Sequence, residues 1–492
     1  MPDDITPGNI EQFDVEPVNK KENRDLFKAR TKIHPKRGQG LFRTLKWWIM
    51  VVTLGIYYLT PWIRWDRGES LPDQAVLIDI PARRFYFFFI EIWPQELFFV
   101  TGLLVLAGVG LFLTTSVAGR MWCGYSCPQT VWTDLFLVVE RFIEGERNQR
   151  LRLDKADMSA SKLFKKIIKH AIWLIIAMLT GGAWIFYYAD APTLTANLFT
   201  LEAPMVAYIT VAILTFTTYS LGGLMREQIC TYMCPWPRIM GAMMDEESLL
   251  VTYREDRGEP RRSHKKGESW DDRGDCVDCN VCVAVCPMGI DIRDGHQLEC
   301  ITCALCIDAC NSVMGKVDRP RGLIAYTSFA DEQRVANGEK SRIRPARPRT
   351  LIYLAVFCLV AGIMFYGLFT RSDMDVNVLR DRNPLFTLLS DGAIRNGFTF
   401  KVLNKAHEPR TFELSVTGIS GIGLSVVGAE ENLSGGPPYI TVRPDKLKSL
   451  RILVTAPKGT LKNDSVDIDF AIKEINTGEQ AFYDSVFRGP KK

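Results

Sequence analysis

Cys276-Val277-Asp278-Cys279-Asn280-Val281-Cys282-Val283-Ala284-Val285-Cys286-Pro287 is followed, after a short spacer, by Cys300-Ile301-Thr302-Cys303-Ala304-Leu305-Cys306-Ile307-Asp308-Ala309-Cys310, so that eight of the thirteen cysteines fall in one stretch. A cubane cluster needs four convergent thiolates. A C-x2-C-x2-C loop supplies three, and in two-cluster ferredoxins the fourth comes from the other run. The spacing therefore assigns Cys276, Cys279, Cys282 and Cys310 to one [4Fe–4S] cluster, and Cys300, Cys303, Cys306 and Cys286 to a second. The second run ends in Cys310-Asn311 rather than Cys-Pro, which alters a turn and removes no ligand. Closed zinc sites also use thiolates, and disulfides would need an oxidising compartment. The spacing favours iron–sulfur over both.

Working outward, the runs sit between hydrophobic segments. A chain of 492 residues exceeds one ordinary domain, and 47% hydrophobic with 24% charged residues implies apolar segments interleaved with polar ones. The net charge of +4 gives no reason to expect a nucleic-acid partner. A bilayer-spanning helix needs roughly 17–25 mostly apolar residues, and five segments qualify: Trp47–Ile63, Leu97–Val117, Ala171–Tyr188, Met205–Leu224 and Leu351–Thr370. Phe85–Trp93 is apolar but carries Glu91, and reads as interfacial, with a sixth crossing as the alternative. No cleavable signal peptide is visible near the N-terminus.

Lys and Arg concentrate in the N-terminal arm (Lys20, Lys21, Arg24, Lys28, Arg30, Lys32, Lys36, Arg37, Arg43) and between Arg120 and Lys169, whereas Ala189–Pro204 has none. By the positive-inside rule the N-terminus is cytoplasmic, and five crossings leave the cluster region inside and the C-terminal tail outside. Cysteine usage agrees: reduced thiols persist inside a bacterium, the periplasm is oxidising, and 376–492 contains no cysteine. The expected organisation is a cytoplasmic arm (1–44), a transmembrane region of about four spans (45–252), a cytoplasmic ferredoxin domain with linkers (253–349), a last transmembrane helix (350–371) and a periplasmic domain (376–492), in the bacterial inner membrane with lipid as a partner. The charged stretches Tyr253–Asp275 and Lys316–Arg349 read as linkers, able to rest on anionic headgroups. Cys358, in the last span, reads as a small apolar filler.

A second constellation is an internal repeat. Cys123-Gly124-Tyr125-Ser126-Cys127-Pro128 follows the second span and Cys230-Thr231-Tyr232-Met233-Cys234-Pro235 follows the fourth. On a continuous helix each pair would share a face, and the proline would kink or end the helix. Two pairs at one membrane face would assemble a four-thiolate metal site from Cys123, Cys127, Cys230 and Cys234. Soft thiolates accept Cu(I), zinc or iron–sulfur centres. Met121, Met225, Met233, Met240, Met243 and Met244 flank the motifs and lean toward copper, although methionines commonly just fill gaps. Only five histidines exist and only His170 lies at a span, so no bis-histidine haem is expected; His170 reads as an interfacial residue.

Beyond the last span the hydrophobic period changes to two. Phe398–Leu403, Thr411–Thr417, Leu424–Val427, Tyr439–Val442, Leu450–Val454, Val466–Ile472 and Ala481–Val486 alternate apolar with polar residues, which predicts an all-β immunoglobulin-like sandwich acting as spacer or docking module.

This order of features, together with Asn404-Lys405-Ala406-His407-Glu408-Pro409-Arg410 at the head of the tail, resembles the cytochrome c oxidase accessory proteins called CcoG, FixG or RdxA. Membrane ferredoxins of the NapH type resemble the front part only. The resemblance implies an oxidoreductase role in assembling cbb-type cytochrome oxidase, with Cu(II) reduced to Cu(I) in the cytoplasm and passed to copper carriers and assembly factors. Two other readings stay open: a quinol-linked electron conduit, and a non-catalytic assembly scaffold. The sequence names neither the electron donor nor the oligomeric state.

Overall fold

A computed structural model describes residues 12–19, 31–68, 71–264, 268–427, 437–461 and 463–490. Lys20, Lys21, Arg24, Lys28 and Arg30 lie outside the described residues. The chain forms two compact units, Met1–Asp66 with Pro72–Met364, and Arg67–Leu71 with Phe365–Lys492.

Among the described residues, four helical stretches are long and apolar enough to cross a membrane: Pro94–Ala118, Ala160–Tyr187, Met205–Met225 and Pro348–Phe369, the last running from the first unit into the second. They leave large apolar side chains such as Leu104, Ile213, Ile352 and Leu359 exposed, as expected of surfaces meeting lipid. Cys358 is exposed on the last of them, so it fills no internal gap. The expected span at Trp47–Ile63 is displaced: its helix is Leu41–Leu59, and the first turns carry Arg43 and Lys46, both buried and both paired with Asp134 at 3.2 and 2.8 Å. Those two charges keep it outside the composition of an ordinary spanning helix. Phe85–Trp93 is no sixth crossing, because Arg84–Phe87 and Ile90–Ile92 are antiparallel strands of a small sheet begun by Val76–Asp79.

Much of the basic charge turns out to be internal. Glu140 is fully buried, with Arg150 and Arg226 at 3.1 Å, Lys32 at 3.4 Å and Lys169 at 3.7 Å. Those cations hold its carboxyl well below the usual range against the opposing effect of burial. Glu144 takes Lys169 at 2.8 Å and Lys166 at 2.9 Å. A buried charge is tolerated only when paired, so this network ties the arm, Pro128–Glu144, Arg147–Lys155, Ala160–Thr180 and the turn at Arg226 into one body.

The charged stretches read as linkers are ordered. Leu250–Tyr253 pairs antiparallel with Ile324–Thr327, closing the ferredoxin region at its base. Arg257 meets Asp275 at 2.5 Å and Arg334 meets Glu247 at 2.7 Å, so these arginines face carboxylates of their own chain.

The second unit is a two-sheet antiparallel sandwich. One sheet runs Gly423–Val427, Lys446–Ala456, Ile394–Asn404, Met374–Arg380, with Thr387–Leu388 beside Ile394; the other runs Tyr439–Val442, Arg410–Thr417, Ser465–Glu474, Gln480–Arg488. Phe398, Phe400, Phe412, Phe470 and Phe487 fill the space between the sheets. Every expected strand lies within an observed one. Met374–Arg380 and Thr387–Leu388 are additional.

Candidate metal centre

Both C-x3-C-Pro motifs lie beyond a break in the preceding helix. The first helix ends at Gly119, whose φ of 56° is a left-handed conformation, and a Cβ there would stand 2.9 Å from the Leu249 carbonyl oxygen. Cys123 then sits in the short helix Met121–Tyr125, and Cys127 is the extended residue before Pro128, which opens Pro128–Glu144. The fourth apolar segment runs from Met205–Thr218 into the π-helical turn Tyr219–Met225 and breaks at Arg226, φ 46°. Arg226 is held in that conformation by Glu140 and by donation from Nε to the Gly223 carbonyl at 2.9 Å. Cys230 follows in a second π-helical turn, and Cys234 ends it. No continuous helix runs through either motif.

The breaks bring the two motifs together. Cys230 lies close enough to Cys127, Cys123 and Cys234 for each to raise its thiol pKa, and burial, the larger cause, takes it to about 12. Cys123 and Cys127 are raised likewise by burial and by Cys234. Arg120, 1% exposed, pulls Cys123, Cys127, Cys230 and Cys300 the other way. Of the flanking methionines, Met240 reaches the group: its Sδ is 3.7 Å from Cys123 Sγ. Met243 instead accepts a 3.1 Å hydrogen bond from Tyr353.

In the ferredoxin region one small cavity is lined by Cys276, Cys279, Cys282 and Cys310, and another by Cys286, Cys300, Cys303 and Cys306, with Cys282 in its wall as well. The two loops repeat each other. Asp278 and Asn280 in the first, and Thr302 and Ala304 in the second, all have positive φ, and helices Val281–Val285 and Leu305–Lys316 start at equivalent points. Burial pushes Cys300 up to about 11 and Cys286 and Cys310 up to about 12. All thirteen cysteines are free thiols. Buried thiols in groups of four, whose ionisation burial opposes, fit cationic guests that deprotonate and ligate them.

The first motif packs directly on the second cluster loop. Tyr125 Oη donates to the Cys303 carbonyl at 3.3 Å, and Tyr326 Oη donates to the Thr302 carbonyl at 2.6 Å. Cys123, Met240 and the buried ferredoxin cysteines share one continuous core. The arm joins it from the other side: Phe13 N donates to Cys279 O at 3.1 Å, Lys36 N to Ala284 O at 2.7 Å and Arg43 N to Asp308 at 2.8 Å. Sequence reasoning missed Gly124, Tyr125 and Arg120 as parts of the site. Adjacency to Cys123 was their signal, and Arg120 had been counted only among basic residues.

Fold and site together define a membrane-embedded iron–sulfur electron-transfer protein with an immunoglobulin-like C-terminal domain. Comparison with known proteins agrees: residues 225–329 match a "4Fe-4S dicluster domain", residues 99–144 a "4Fe-4S binding domain", and residues 364–490 an "IG-like fold at C-terminal of FixG". The chain is 53% identical to nitrogen fixation protein FixG of Rhizobium meliloti, over 99% of this chain and 98% of that one. It is 51% identical to protein RdxB of Cereibacter sphaeroides over 95% and 98%, and 52% identical to RdxA of the same organism over 88% and 91%. The chain belongs to the FixG family.

Proposed function

We propose that this protein reduces Cu(II) to Cu(I) at Cys123, Cys127, Cys230 and Cys234 on the cytoplasmic side of the membrane, in the service of cbb-type oxidase assembly. Cys276, Cys279, Cys282 and Cys310, and Cys300, Cys303, Cys306 and Cys286, would hold two [4Fe–4S] clusters crosswise, and such clusters would supply the electrons. The observation that carries this reading is the packing of the Cys123–Cys127 loop on Cys303, which brings the first motif into direct contact with the second cluster loop. Bound clusters would supply one-electron storage. Copper is a substrate here: thiolates and the Met240 thioether hold the softer Cu(I) better than Cu(II), which favours the reduced product. The assembly role rests on the resemblance in motif order.

The sidedness we propose is supported by where helix ends are tied. Leu41–Leu59 starts at the ferredoxin region through Phe42 and Arg43, and Tyr57 near its far end donates to Thr180 O at 2.7 Å, at the far end of Ala160–Thr180. Phe98–Ala118 and Met205–Met225 each end at a motif, and Pro348–Phe369 begins beside Ser116, whose hydroxyl is 3.0 Å from that of Thr350. These ties support five crossings, with the charged helix Leu41–Leu59 as the first, and a periplasmic sandwich.

The test is anaerobic: reduce the purified protein, add Cu(II), and follow the cluster spectrum beside a Cu(I) chelator. Reoxidation of clusters with stoichiometric Cu(I) is expected, and Cys230→Ser with Cys234→Ser should abolish it while cluster signals survive. Clusters that stay reduced with no Cu(I) formed would sink the proposal.

A further inference from the structure

A cavity of about 440 Å³ opens between the start of helix Leu41–Leu59 and the end of helix Pro128–Glu144, and neither the cluster loops nor the four thiols line it. One side of its wall is charged. Arg37, Arg43 and Arg141 stand there with Glu146, the one carboxylate in the wall among the described residues. Arg43 is neutralised by Asp134 at 3.2 Å, and Asp134 also takes Lys46 at 2.8 Å. Arg37 is exposed and Arg141 partly so, yet neither makes an ion pair or a side-chain hydrogen bond among the described residues, Glu146 included. Burial, helped by Arg150 and Arg43, draws the Arg141 pKa down to about 10, and Asp134 and Glu146 only partly offset this. A part-buried cation without a counter-ion is costly to hold, so an anion from outside the chain would be bound here.

The other side of the wall is apolar, formed by Trp47, Val138 and Phe142. Val138 and Phe142 are one turn apart on the same helix face, and Phe142 is 89% exposed. Just past the cavity, helix Leu41–Leu59 leaves Trp48, Val51, Val52 and Ile56 exposed, so the cavity lies immediately before a lipid-facing stretch, at the level where tryptophans collect. Basic pockets between helices on the cytoplasmic side of a membrane take the headgroups of anionic lipids. A soluble phosphate or a nucleotide would answer the two arginines and leave Phe142 in water. A ligand that joins an anion to a hydrocarbon chain answers both sides of the wall.

We infer that this cavity is a binding site for an anionic glycerophospholipid of the cytoplasmic leaflet, with its phosphodiester on Arg37 and Arg141 and an acyl chain over Val138 and Phe142. Guanidinium forks match pairs of phosphate oxygens. The bound phosphate neutralises Arg141 and ties the N-terminal arm to the helix that opens beside Cys127. The inference rests on Leu41–Leu59 lying in the bilayer with its first turns at the cytoplasmic surface, and not on copper as substrate.

The experiment places the full-length, cluster-loaded protein in phosphatidylcholine nanodiscs holding a trace of phosphatidylglycerol with a photoreactive diazirine near the glycerol end of one chain. Peptides from 37–47 and 138–146 should be labelled. The label should fall roughly tenfold in the double variant Arg37→Gln with Arg141→Gln, and as far when the probe is phosphatidylcholine. Arg37→Gln alone, at an exposed position, should lose part of the label and decides the matter if the double variant does not fold. Excess phosphatidylglycerol should compete, whereas glycerol 3-phosphate and ATP should not. Groove label that is equal from both lipids, or indifferent to the variants, overturns the inference, as does displacement by the soluble phosphates, which would make this a site for a soluble anion. A second probe with its diazirine at the chain end should label 51–59 from either lipid. Label there with none in the groove sinks the site alone, and no label there sinks the membrane placement on which it rests.

Discussion

Gly124 is pressed against Cys303: a Cβ on Gly124 would stand 3.0 Å from the Cys303 Cα and 2.6 Å from the Ile301 carbonyl oxygen. Real Cβ atoms do not approach backbone that closely, and backbone cannot swing aside as a long side chain can. The x of C-x-Tyr-x-C is thereby glycine for a reason of distance, and the four-thiol site and the second cluster loop share one surface.

Gly124→Ala should therefore separate the two loops without removing any ligand. Iron content and cluster spectra are expected to stay at parent levels while the rate of Cu(I) formation falls at least tenfold. Stopped-flow with a Cu(I) chelator measures the rate; an unchanged rate would show that this contact carries no electron traffic.

The crossed cavities make a prediction about pairs. Cys276→Ser and Cys310→Ser, far apart in sequence, should perturb the same cluster signal, and Cys300→Ser and Cys286→Ser the other. Electron paramagnetic resonance of the reduced variants decides it. Cys310→Ser grouping with Cys300→Ser would mean that each run closes its own cluster.

Glu140→Gln should be the most damaging single change in the helical unit. It leaves Arg150, Arg226 and Lys169 buried around a neutral amide, and breaking a buried pair from one side costs about 3–5 kcal/mol. Thermal unfolding in detergent should fall sharply, and the Arg226 turn should become sensitive to proteolysis. A midpoint within one degree of the parent would remove Glu140 from the frame of the site.

Acid should loosen the arm through His34. Its pKa is about 4 in the folded protein, against about 6.5 when free. Between those values the detached arm takes up a proton that the folded one does not, so stability from this group is whole above about pH 6.5 and is lost progressively toward pH 4. Limited proteolysis of residues near 31–36 across that window should accelerate in the parent and much less in His34→Gln. Equal acceleration in both would show that His34 does not carry the effect.

The sandwich was legible because strands that bury one face write that fact every second residue, as Phe398, Phe400 and Val402 do. Met374–Arg380 alternates equally well, with Met374, Val376 and Val378 buried, but was not among the strands read from the sequence. The helix breaks at Gly119 and Arg226 were harder. Arg226 occupies a left-handed conformation that its residue type disfavours, and Glu140, remote in sequence, helps to pin it there.

By itself the sequence determined which atoms are available and at what local spacing: two thiolate loops, two C-x3-C-Pro pairs, apolar helices and a period-two tail, all properties of neighbours along the chain. Which of these meet was decided by tertiary structure alone. The arm that read as a basic cytoplasmic segment is bound to the ferredoxin backbone, basic residues that read as cytoplasmic-side charge converge on Glu140, and the first motif rests on Cys303. The physical reason is that burying charge and backbone demands partners, and those partners lie tens to hundreds of residues away, where local pattern carries no information.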